Sequence, residues 1–344
     1  MRKILSILSL FLTLCSNSNI YGKSDIIIIA HRGASGYLPE HTLAGKSLSY
    51  GMGADYIEQD VVLTKDDHAI VIHDIYLDEI TNVSEVFPHR SRQDGRYYAI
   101  DFLLSEIKLL TVTERFHHQS KMVVYPGRFP INTSKFQIST LIEEIELIQG
   151  LNKSTGKNVG IYTEIKFPSW HRRQGKDISK IVLNILSEKG YSKKSDNVYI
   201  QCFDPIELKR LRHELNSQLK LIQLIDDSSI PESDADYAHL RSIEGLKEIA
   251  SYANGIAPSI QLVIIGRDKN NNFLYSPLID NAHRNNLVVH IYTLRRDELP
   301  LFAKNYSELL RSLLTSSGIN GIFTDFPDDA VTAKSKIFNK MKYD

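Results

Sequence analysis

Charged side chains interrupt several apolar runs of this sequence. Glu58 and Asp60 stand two residues apart in one run, and Glu164 and Lys166 repeat that spacing in another. On a β-strand, residues two apart leave the same face, so each pair would point in one direction. Burying such charges costs free energy unless they are paired or bound to a metal ion. The spacing therefore indicates either a metal site or a cluster of ion pairs.

The metal interpretation is chemically specific. Glu58, Asp60 and Glu164 offer only oxygen ligands, which favour a hard cation, Ca²⁺ or Mg²⁺, over zinc. The competing interpretation is a structural salt-bridge cluster in which Arg32 and Lys166 neutralise the same carboxylates. Spacing alone does not decide between the two.

Two histidines end neighbouring apolar segments. Either His31 or His73 taken alone is more often a structural residue than a catalyst. An imidazole pKa of about 6.5 lets both protonation states coexist near neutrality, so a pair can supply a general base and a general acid. Arg32, Lys166 and a cation would add positive charge for a phosphoryl group. The set predicts phosphate-ester chemistry.

The elements that must position these groups follow a β/α rhythm, in which short apolar runs alternate with longer amphipathic stretches. Nearly continuous apolar runs are typical of strands buried on both faces. Eight such strands predict a (β/α)8 TIM-type barrel, in which the carboxyl ends of the strands carry the active site. The predicted strands are Ile26–Ala30, Tyr56–Val62, Gly160–Ile165, Val198–Cys202, Leu219–Leu224, Gly255–Pro258, Leu287–Tyr292 and Gly321–Thr324.

Two features modify this rhythm. Ala69–His73 is an apolar run close behind the second strand, and we predict that the two form a hairpin. Residues 75–158 then lack strand regularity, and we predict an inserted subdomain that caps one end of the barrel. Helix starts are marked by Asp204 before a proline and by Thr140 with Glu143 three residues later.

The N-terminus has the pattern of a secretion signal. Arg2 and Lys3 precede an apolar run, Ile4–Cys15, and a small polar stretch follows. We therefore predict a signal peptide over residues 1–22 and a periplasmic mature chain, residues 23–344. As a helix, the run would rise about 18 Å, short of a bilayer core of about 30 Å. No membrane span is expected.

Alternatives for this segment remain. A buried N-terminal helix would need a polar face, which the run lacks. A lipoprotein anchored through Cys15 ranks second, because Leu14 stands where lipoprotein signals usually carry a small residue. Cleavage after Ser18 and cleavage after Gly22 both fit the pattern.

Composition narrows the class of partner. The chain has 344 residues, 42% hydrophobic and 24% charged, an ordinary globular composition. It carries 41 basic and 41 acidic residues; loss of Arg2 and Lys3 leaves 39 and 41, a net charge of −2. Such a balance of charge offers no basic field for binding nucleic acid.

Cys202 is then the remaining cysteine, and we expect it to be a core residue rather than a nucleophile. The sequence does not determine the oligomeric state, and a dimer is one of the alternatives.

Short motifs follow one another in a fixed order along the chain: His31–Thr42, Glu58–Val61, His73-Asp74, Glu164–Lys166 and Gln201–Phe203. Their ordered set resembles the glycerophosphodiester phosphodiesterase family, and most closely its periplasmic bacterial branch. The resemblance extends through the irregular segment, at Phe87-Pro88, Asp94–Phe102, Tyr125–Pro130 and Ser154–Asn158, and on to Gly321–Pro327. It covers nearly the whole mature chain.

The resemblance implies a barrel with an insertion and one divalent cation, with Ca²⁺ favoured and Mg²⁺ as the alternative. Carried over position by position, Glu58, Asp60 and Glu164 would be the metal ligands. His31 would accept a proton and His73 would donate one.

Further positions match motif residues around the substrate. Arg32 and Lys166 would lie near the phosphate. Glu40, Gln201 and Phe203 would line the site.

The implied activity is hydrolysis of glycerophosphodiesters, such as glycerophosphocholine and glycerophosphoethanolamine, to sn-glycerol 3-phosphate and an alcohol. Whether water or the glycerol 2-hydroxyl attacks stays open. One alternative is an exported barrel that acts as a surface binding protein, but the complete set of site residues favours an enzyme. Another is a related phospholipase-type phosphodiesterase, for which the polar, tyrosine-rich insertion offers no apolar docking surface. We expect a small-molecule substrate.

Overall fold

The computed structural model describes residues 26–227, 230 and 232–340. The predicted signal peptide, with Cys15, lies outside this part of the chain. Among the residues described, no helix has both the length and the apolar character needed to cross a bilayer.

Eight parallel strands close a barrel, as predicted. The first strand pairs with both the last and the second strand, so the parallel part of the sheet has no free edge. Strands in the described ranges are β1 (Ile27–Ala30), β2 (Tyr56–Leu63), β3 (Ala69–Val71), β4 (Gly160–Ile165), β5 (Val198–Cys202), β6 (Lys220–Ile225), β7 (Gly255–Pro258), β8 (Ile264–Arg267), β9 (Phe273–Tyr275), β10 (Val288–Leu294) and β11 (Gly321–Thr324). The barrel order is β1-β11-β10-β7-β6-β5-β4-β2.

Helices follow most of the barrel strands and cover the outside of the sheet. They are α1 (Leu43–Gly51), α2 (Val83–Val86), α3 (Leu104–Ile107), α4 (Leu141–Thr155), α5 (Pro168–Arg173), α6 (Ile178–Glu188), α7 (Pro205–His213), α8 (Tyr237–Leu240), α9 (Ile243–Ile249), α10 (Ile260–Val263), α11 (Leu278–Arg284), α12 (Tyr306–Ser316) and α13 (Pro327–Lys340). A 3-10 turn spans Ala99–Asp101.

Burial explains why the strands read as apolar runs. Every residue of β2, β4 and β11 is buried, because side chains face either the barrel interior or the helices. The eight predicted barrel strands are confirmed; four have the predicted bounds, and the ends of the other four lie within two residues of them. β10, for instance, continues to Leu294, where it pairs with Thr324 of β11. The end of a strand depends on its pairing with the neighbouring strand, and the apolar pattern of one segment does not indicate that pairing.

The hairpin after β2 is also confirmed. β3 lies antiparallel to β2, with Val61 opposite Val71. The segment that follows builds a second apolar core, which contains Leu77, Phe102 and Val112. The bounds 75–158 of the inserted subdomain stay a prediction. Within that range, α4 packs into the barrel core rather than the second one.

The helix-start signals form as the sequence indicates. Thr140 accepts a hydrogen bond from the Glu143 N–H, and the Glu143 carboxylate accepts one from the Thr140 N–H at 2.7 Å. Asp204 caps α7 by accepting from the N–H groups of Ile206 and Glu207. Cys202 is fully buried, as expected of a core residue.

Candidate active site

Strand register brings the predicted ligands to one level of the barrel. Asp60 of β2 lies beside Glu164 of β4, which lies beside Gln201 of β5. Glu58 precedes Asp60 by two residues and therefore faces the same interior. One carboxylate oxygen each of Glu58, Asp60 and Glu164 lies within 4.8 Å of the other two, and all three residues are buried. The strand register therefore agrees with the side-chain directions that the two-residue spacing predicts.

These carboxylates suit a hard cation. Burial raises the pKa of Glu58 and of Glu164, and the Asp60 carboxylate adds to that rise for both. Asp60 Oδ1 and Gln201 Oε1 are buried without a hydrogen-bond partner. Unpartnered buried oxygens in an acidic group are what a Ca²⁺ or Mg²⁺ site requires. The group could therefore hold a metal ion.

Glu58 is held by donors on both sides. Gln201 Nε2 donates to Glu58 Oε1 at 2.8 Å, and the Arg32 N–H donates to Glu58 Oε2 at 2.8 Å. Arg32 has a left-handed backbone with φ of 58°. That conformation turns its N–H towards the carboxylate, so the His31–Thr42 motif contributes backbone as well as side-chain groups.

His31 forms a dyad with Asp325, which follows β11 and to which the sequence analysis assigned no role. Its Nδ1 lies 2.6 Å from Asp325 Oδ1, and its Nε2 lies 3.8 Å from Glu58 Oε2. Although burial opposes ionisation, Arg295 and His31 hold the pKa of Asp325 well below its usual range. An ionised carboxylate only accepts hydrogen bonds, so Nδ1 carries the proton and Nε2 is left for chemistry.

His73 repeats that arrangement. Its Nδ1 lies 2.7 Å from Asp74 Oδ1, and its side chain is 29% exposed. Burial, with the charges of Arg32 and Lys166, lowers the pKa of His73 to about 4. The ring is therefore neutral near pH 7 in the ligand-free protein.

Glu40 anchors two guanidinium groups. Arg32 Nη1 donates to Glu40 Oε2 at 3.0 Å, and Arg115 Nη2 donates to Glu40 Oε1 at 2.6 Å. Arg115 also donates to Asp74 Oδ2 at 2.6 Å, which links this group to His73. Arg115 comes from the irregular segment between β3 and α4, where no strand-end pattern could have indicated it.

Lys166 lies between two carboxylates. Its Nζ is 2.7 Å from Glu164 Oε1 and 2.5 Å from Glu232 Oε1. The same ammonium lies 5.8 Å from the centre of the Phe203 ring. Glu232, in the loop after β6, carries no motif and was missed. Lys166 and Phe203 both line the cavity.

Two further arginines converge on Asp325. Arg128 Nη2 lies 2.7 Å and Arg295 Nε 2.8 Å from Asp325 Oδ2. Arg128 belongs to the Tyr125–Pro130 motif, so the irregular segment contributes to the His31 dyad. Asp325 itself follows the buried strand β11 and lies within the Gly321–Pro327 motif, although its pairing with His31 was not predicted.

The site opens into a cavity of about 1080 Å³ at the carboxyl end of the barrel. A smaller cavity of about 200 Å³ adjoins it, and His31, Arg32, His73 and Arg295 line both. The larger cavity contains all of the acidic ligand candidates. Apolar residues, Leu299 and Phe302 among them, also line this cavity. Charged and apolar side chains thus line the same cavity.

Residues 31–329 match the family described as "Glycerophosphoryl diester phosphodiesterase family". The chain belongs to this family. It is therefore an enzyme, a glycerophosphodiester phosphodiesterase, which sets aside the alternative of a non-catalytic binding barrel. The family is metal-dependent, in agreement with the buried acidic group.

Similar proteins extend over most of the chain. A glycerophosphodiester phosphodiesterase of Haemophilus influenzae is 46% identical over 331 residues, 91% of either chain. One of Treponema pallidum is 39% identical over 322 residues, 89% of this chain and 90% of that protein. The similarity therefore includes the irregular segment as well as the phosphodiesterase barrel.

Solved structures share the fold. A protein of Silicibacter pomeroyi superimposes with a TM-score of 0.69 at 22% identity, over 91% of this chain and 94% of that one. A phosphodiesterase of Oleispira antarctica, in complex with the product sn-glycerol-3-phosphate, has a TM-score of 0.57 at 19% identity, over 89% and 96%. Identity this low establishes the barrel architecture alone.

Proposed function

We propose that this phosphodiesterase hydrolyses glycerophosphodiesters, such as glycerophosphocholine and glycerophosphoethanolamine, to sn-glycerol 3-phosphate and an alcohol. One observation carries the proposal. Two carboxylate-bound imidazoles, His31 and His73, face the same cavity as a buried group of three carboxylates. A cation site beside two proton-transfer groups is the equipment that cleavage of an anionic diester requires.

Glu58, Asp60 and Glu164 are the proposed ligands of one divalent cation, Ca²⁺ by preference and Mg²⁺ as the alternative. When bound, such an ion would offset the charge of the phosphoryl group and polarise its oxygens. Arg32 and Lys166 line the same cavity and add fixed positive charge. Both cations are held by carboxylates, so they are already oriented when the diester arrives.

His31 is the proposed proton acceptor. Its Nε2 is free to take a proton from the attacking hydroxyl, whether of water or of the glycerol 2-position. Asp325, 2.6 Å from Nδ1, would stabilise the imidazolium that results.

His73 is the proposed proton donor to the departing alcohol. The resting ring is neutral, because burial, Arg32 and Lys166 lower its pKa to about 4. An anionic diester beside those two cations would offset their charge and raise the pKa of His73. Substrate binding and protonation of the donor would therefore occur together.

The product assignment has support from the fold relative. The Oleispira antarctica phosphodiesterase holds sn-glycerol-3-phosphate as its product. The cavity of about 1080 Å³ here leaves room for an alcohol on either side of a phosphate at His31 and His73. A water-soluble diester, rather than an intact lipid, is the proposed substrate.

Export is part of the proposal. The pattern of residues 1–22 supports removal of a signal peptide and a periplasmic mature enzyme. N-terminal sequencing of the exported protein should begin at Asn19 or Lys23. Recovery of the exported protein with Met1 in place would contradict this.

The decisive assay is release of glycerol 3-phosphate from glycerophosphocholine by residues 23–344. Activity should vanish after chelation and return with Ca²⁺ or, more weakly, Mg²⁺. Intact phospholipid in liposomes should release far less product than the soluble diester. Preference for liposomes would favour the phospholipase alternative instead.

Variants of the two histidines test the mechanism. His31→Ala and His73→Ala should each lower turnover on the order of 10²–10⁴-fold. His239→Ala, which removes a surface histidine paired with Glu248, is the control and should leave turnover unchanged. Near wild-type turnover in both site variants would refute the assignment.

A further inference from the structure

A buried set of charges lies behind the carboxylate group. His41, Lys46 and Glu144 are 2%, 0% and 0% exposed, and none of them lines either cavity. They cannot touch a substrate there. Each is nevertheless connected, directly or through another, to Asp60.

Lys46 determines which nitrogen of His41 carries the proton. Its Nζ lies 3.1 Å from His41 Nδ1 and 3.2 Å from Glu144 Oε2, and it also donates to the backbone carbonyl of Glu58. An ammonium has three N–H donors and no acceptor. Because the ammonium can only donate, His41 Nδ1 must accept.

The opposite nitrogen is then a fixed donor. His41 Nε2 donates to Asp60 Oδ2 at 2.8 Å. The ammonium of Lys46 at Nδ1 therefore selects the tautomer whose ring proton is on Nε2. Asp60 has one oxygen occupied, while Oδ1 stays unpartnered and buried.

We propose that His41 is a positioning residue for the cation ligand Asp60, and that the Lys46–Glu144 ion pair fixes the tautomer that His41 needs. This rests on the cation site of the proposed function. The hydrogen bond prevents the carboxylate of Asp60 from rotating and presents Oδ1 to the ion. Supporting hydrogen bonds of this kind commonly set the affinity of a metal site.

The backbone around His41 supports a specific placement. His41 has a left-handed conformation with φ of 59°, and its N–H donates to the carbonyl of Arg32 at 2.9 Å. Thr42 then caps α1, accepting from the Gly45 N–H at 3.1 Å, and Lys46 follows in the first turn. One loop and one helix start thus deliver His31, His41 and Lys46 together.

Titration of Ca²⁺ alone into the metal-free mature protein, followed by calorimetry, tests the proposal. His41→Leu removes the donor but keeps an apolar side chain of moderate size, and should weaken Ca²⁺ binding about 10–100-fold. His41→Gln places an amide N–H near the position of Nε2 and should keep most of the affinity.

His171→Leu is the matched control. His171 is equally buried, and its Nε2 accepts from the Leu63 N–H on the helix-facing side of β2. This variant should lower the melting temperature and leave the Ca²⁺ affinity unchanged. An equal loss of affinity in His171→Leu would show that affinity follows general stability, and would overturn the proposal.

A double variant, Lys46→Met with Glu144→Met, tests whether the ion pair fixes the tautomer of His41. Removing both charges avoids an unpaired charge in the interior. Ca²⁺ affinity should fall, but less than in His41→Leu. If His41→Leu does not fold, the double variant and His41→Gln test the proposal instead. Wild-type Ca²⁺ affinity in the double variant would refute the role of the Lys46–Glu144 pair in fixing the tautomer.

Failure of this inference is separable from failure of the proposed function. The titration contains no substrate, so normal Ca²⁺ binding without glycerol 3-phosphate release would reject the function only. Wild-type Ca²⁺ affinity in His41→Leu would reject the positioning role only. Absence of both Ca²⁺ and Mg²⁺ binding in the wild-type protein would reject the cation site and this inference together.

Discussion

In this site, hydrogen-bond partners on the side away from the cavity orient the individual side chains. Both imidazoles that face the cavity are bound at Nδ1 by a carboxylate, Asp325 for His31 and Asp74 for His73. Arginine side chains in turn bind each carboxylate and keep it ionised. The nitrogen offered to the substrate is Nε2 in both cases, because an ionised carboxylate can only accept.

Asp325→Asn should therefore reduce turnover strongly. An asparagine amide can donate to Nδ1 of His31, which would place the proton on Nε2 and remove the acceptor. We expect a loss on the order of 10²-fold or more in kcat, measured with glycerophosphocholine. Asp297→Asn, which disturbs the same Arg128 but not His31, is the control. Equal kcat in both variants would contradict the dyad.

Glu114 gives a pH-dependent prediction. It is buried, its Oε2 lacks a partner, and burial with the charge of Glu40 raises its pKa from 4.5 to about 8. The folded state thus holds its proton over a pH range in which the unfolded state loses it. Stability should fall as pH rises from about 4.5 to about 8.

Glu114→Gln removes that dependence. The variant should gain on the order of 4 kcal/mol in unfolding free energy relative to wild type between pH 5 and pH 9. Urea denaturation at the two pH values measures it. A difference between the two proteins that does not change with pH would argue against a raised pKa.

Among the elements, the loop between β1 and α1 is the one that assembles the site. It carries His31 and Arg32 and packs on the end of β11, where the Gly36 N–H donates to the carbonyl of Asp325 at 2.9 Å. A Cβ at Gly36 would lie 2.3 Å from Phe326 Cε1. This close approach brings the His31 loop to its aspartate.

Gly36→Ala should separate these two elements. Relief of the clash with Phe326 requires movement of loop or ring, so we expect about 1–3 kcal/mol of destabilisation and reduced turnover. Gly150→Ala in α4 meets nothing within 4 Å and should instead stabilise by about 0.5–1 kcal/mol through helix propensity. Thermal unfolding of both variants distinguishes a packing effect from loss of glycine itself.

For the molecule as a whole, the barrel collects buried negative charge at one end. Glu58, Asp60 and Glu164 come from strands whose other residues are mainly apolar. Folding must bring these carboxylates together against their repulsion. A bound cation would offset this cost and so stabilise the folded state.

Ca²⁺ should accordingly raise the melting temperature. At a free concentration 100 times its Kd, the ion adds about 2.7 kcal/mol to the unfolding free energy. Differential scanning calorimetry with Ca²⁺ and with chelator measures the shift. Asp60→Asn should lose the shift, while Asp66→Asn, outside the carboxylate group, should keep it. An unchanged melting temperature of wild type at millimolar Ca²⁺ would count against the site.

The amino-acid sequence by itself determined the barrel and most of its charged interior. Apolar runs identified all eight barrel strands, because parallel strands buried on both faces leave a local signature. Glu58, Asp60 and Glu164 were found because charge within such a run is conspicuous. The hairpin and the two helix caps are likewise local patterns and needed no tertiary information.

Only the tertiary structure decided the partners. Asp325 lies 294 positions from His31, and closure of the barrel between β1 and β11 makes them neighbours. Arg115 and Arg128 enter from a segment without regular periodicity, and His41 acts through a buried tautomer that only its contacts with Lys46 and Asp60 specify. Contacts between distant segments depend on how the chain closes in space, and no local spacing encodes them.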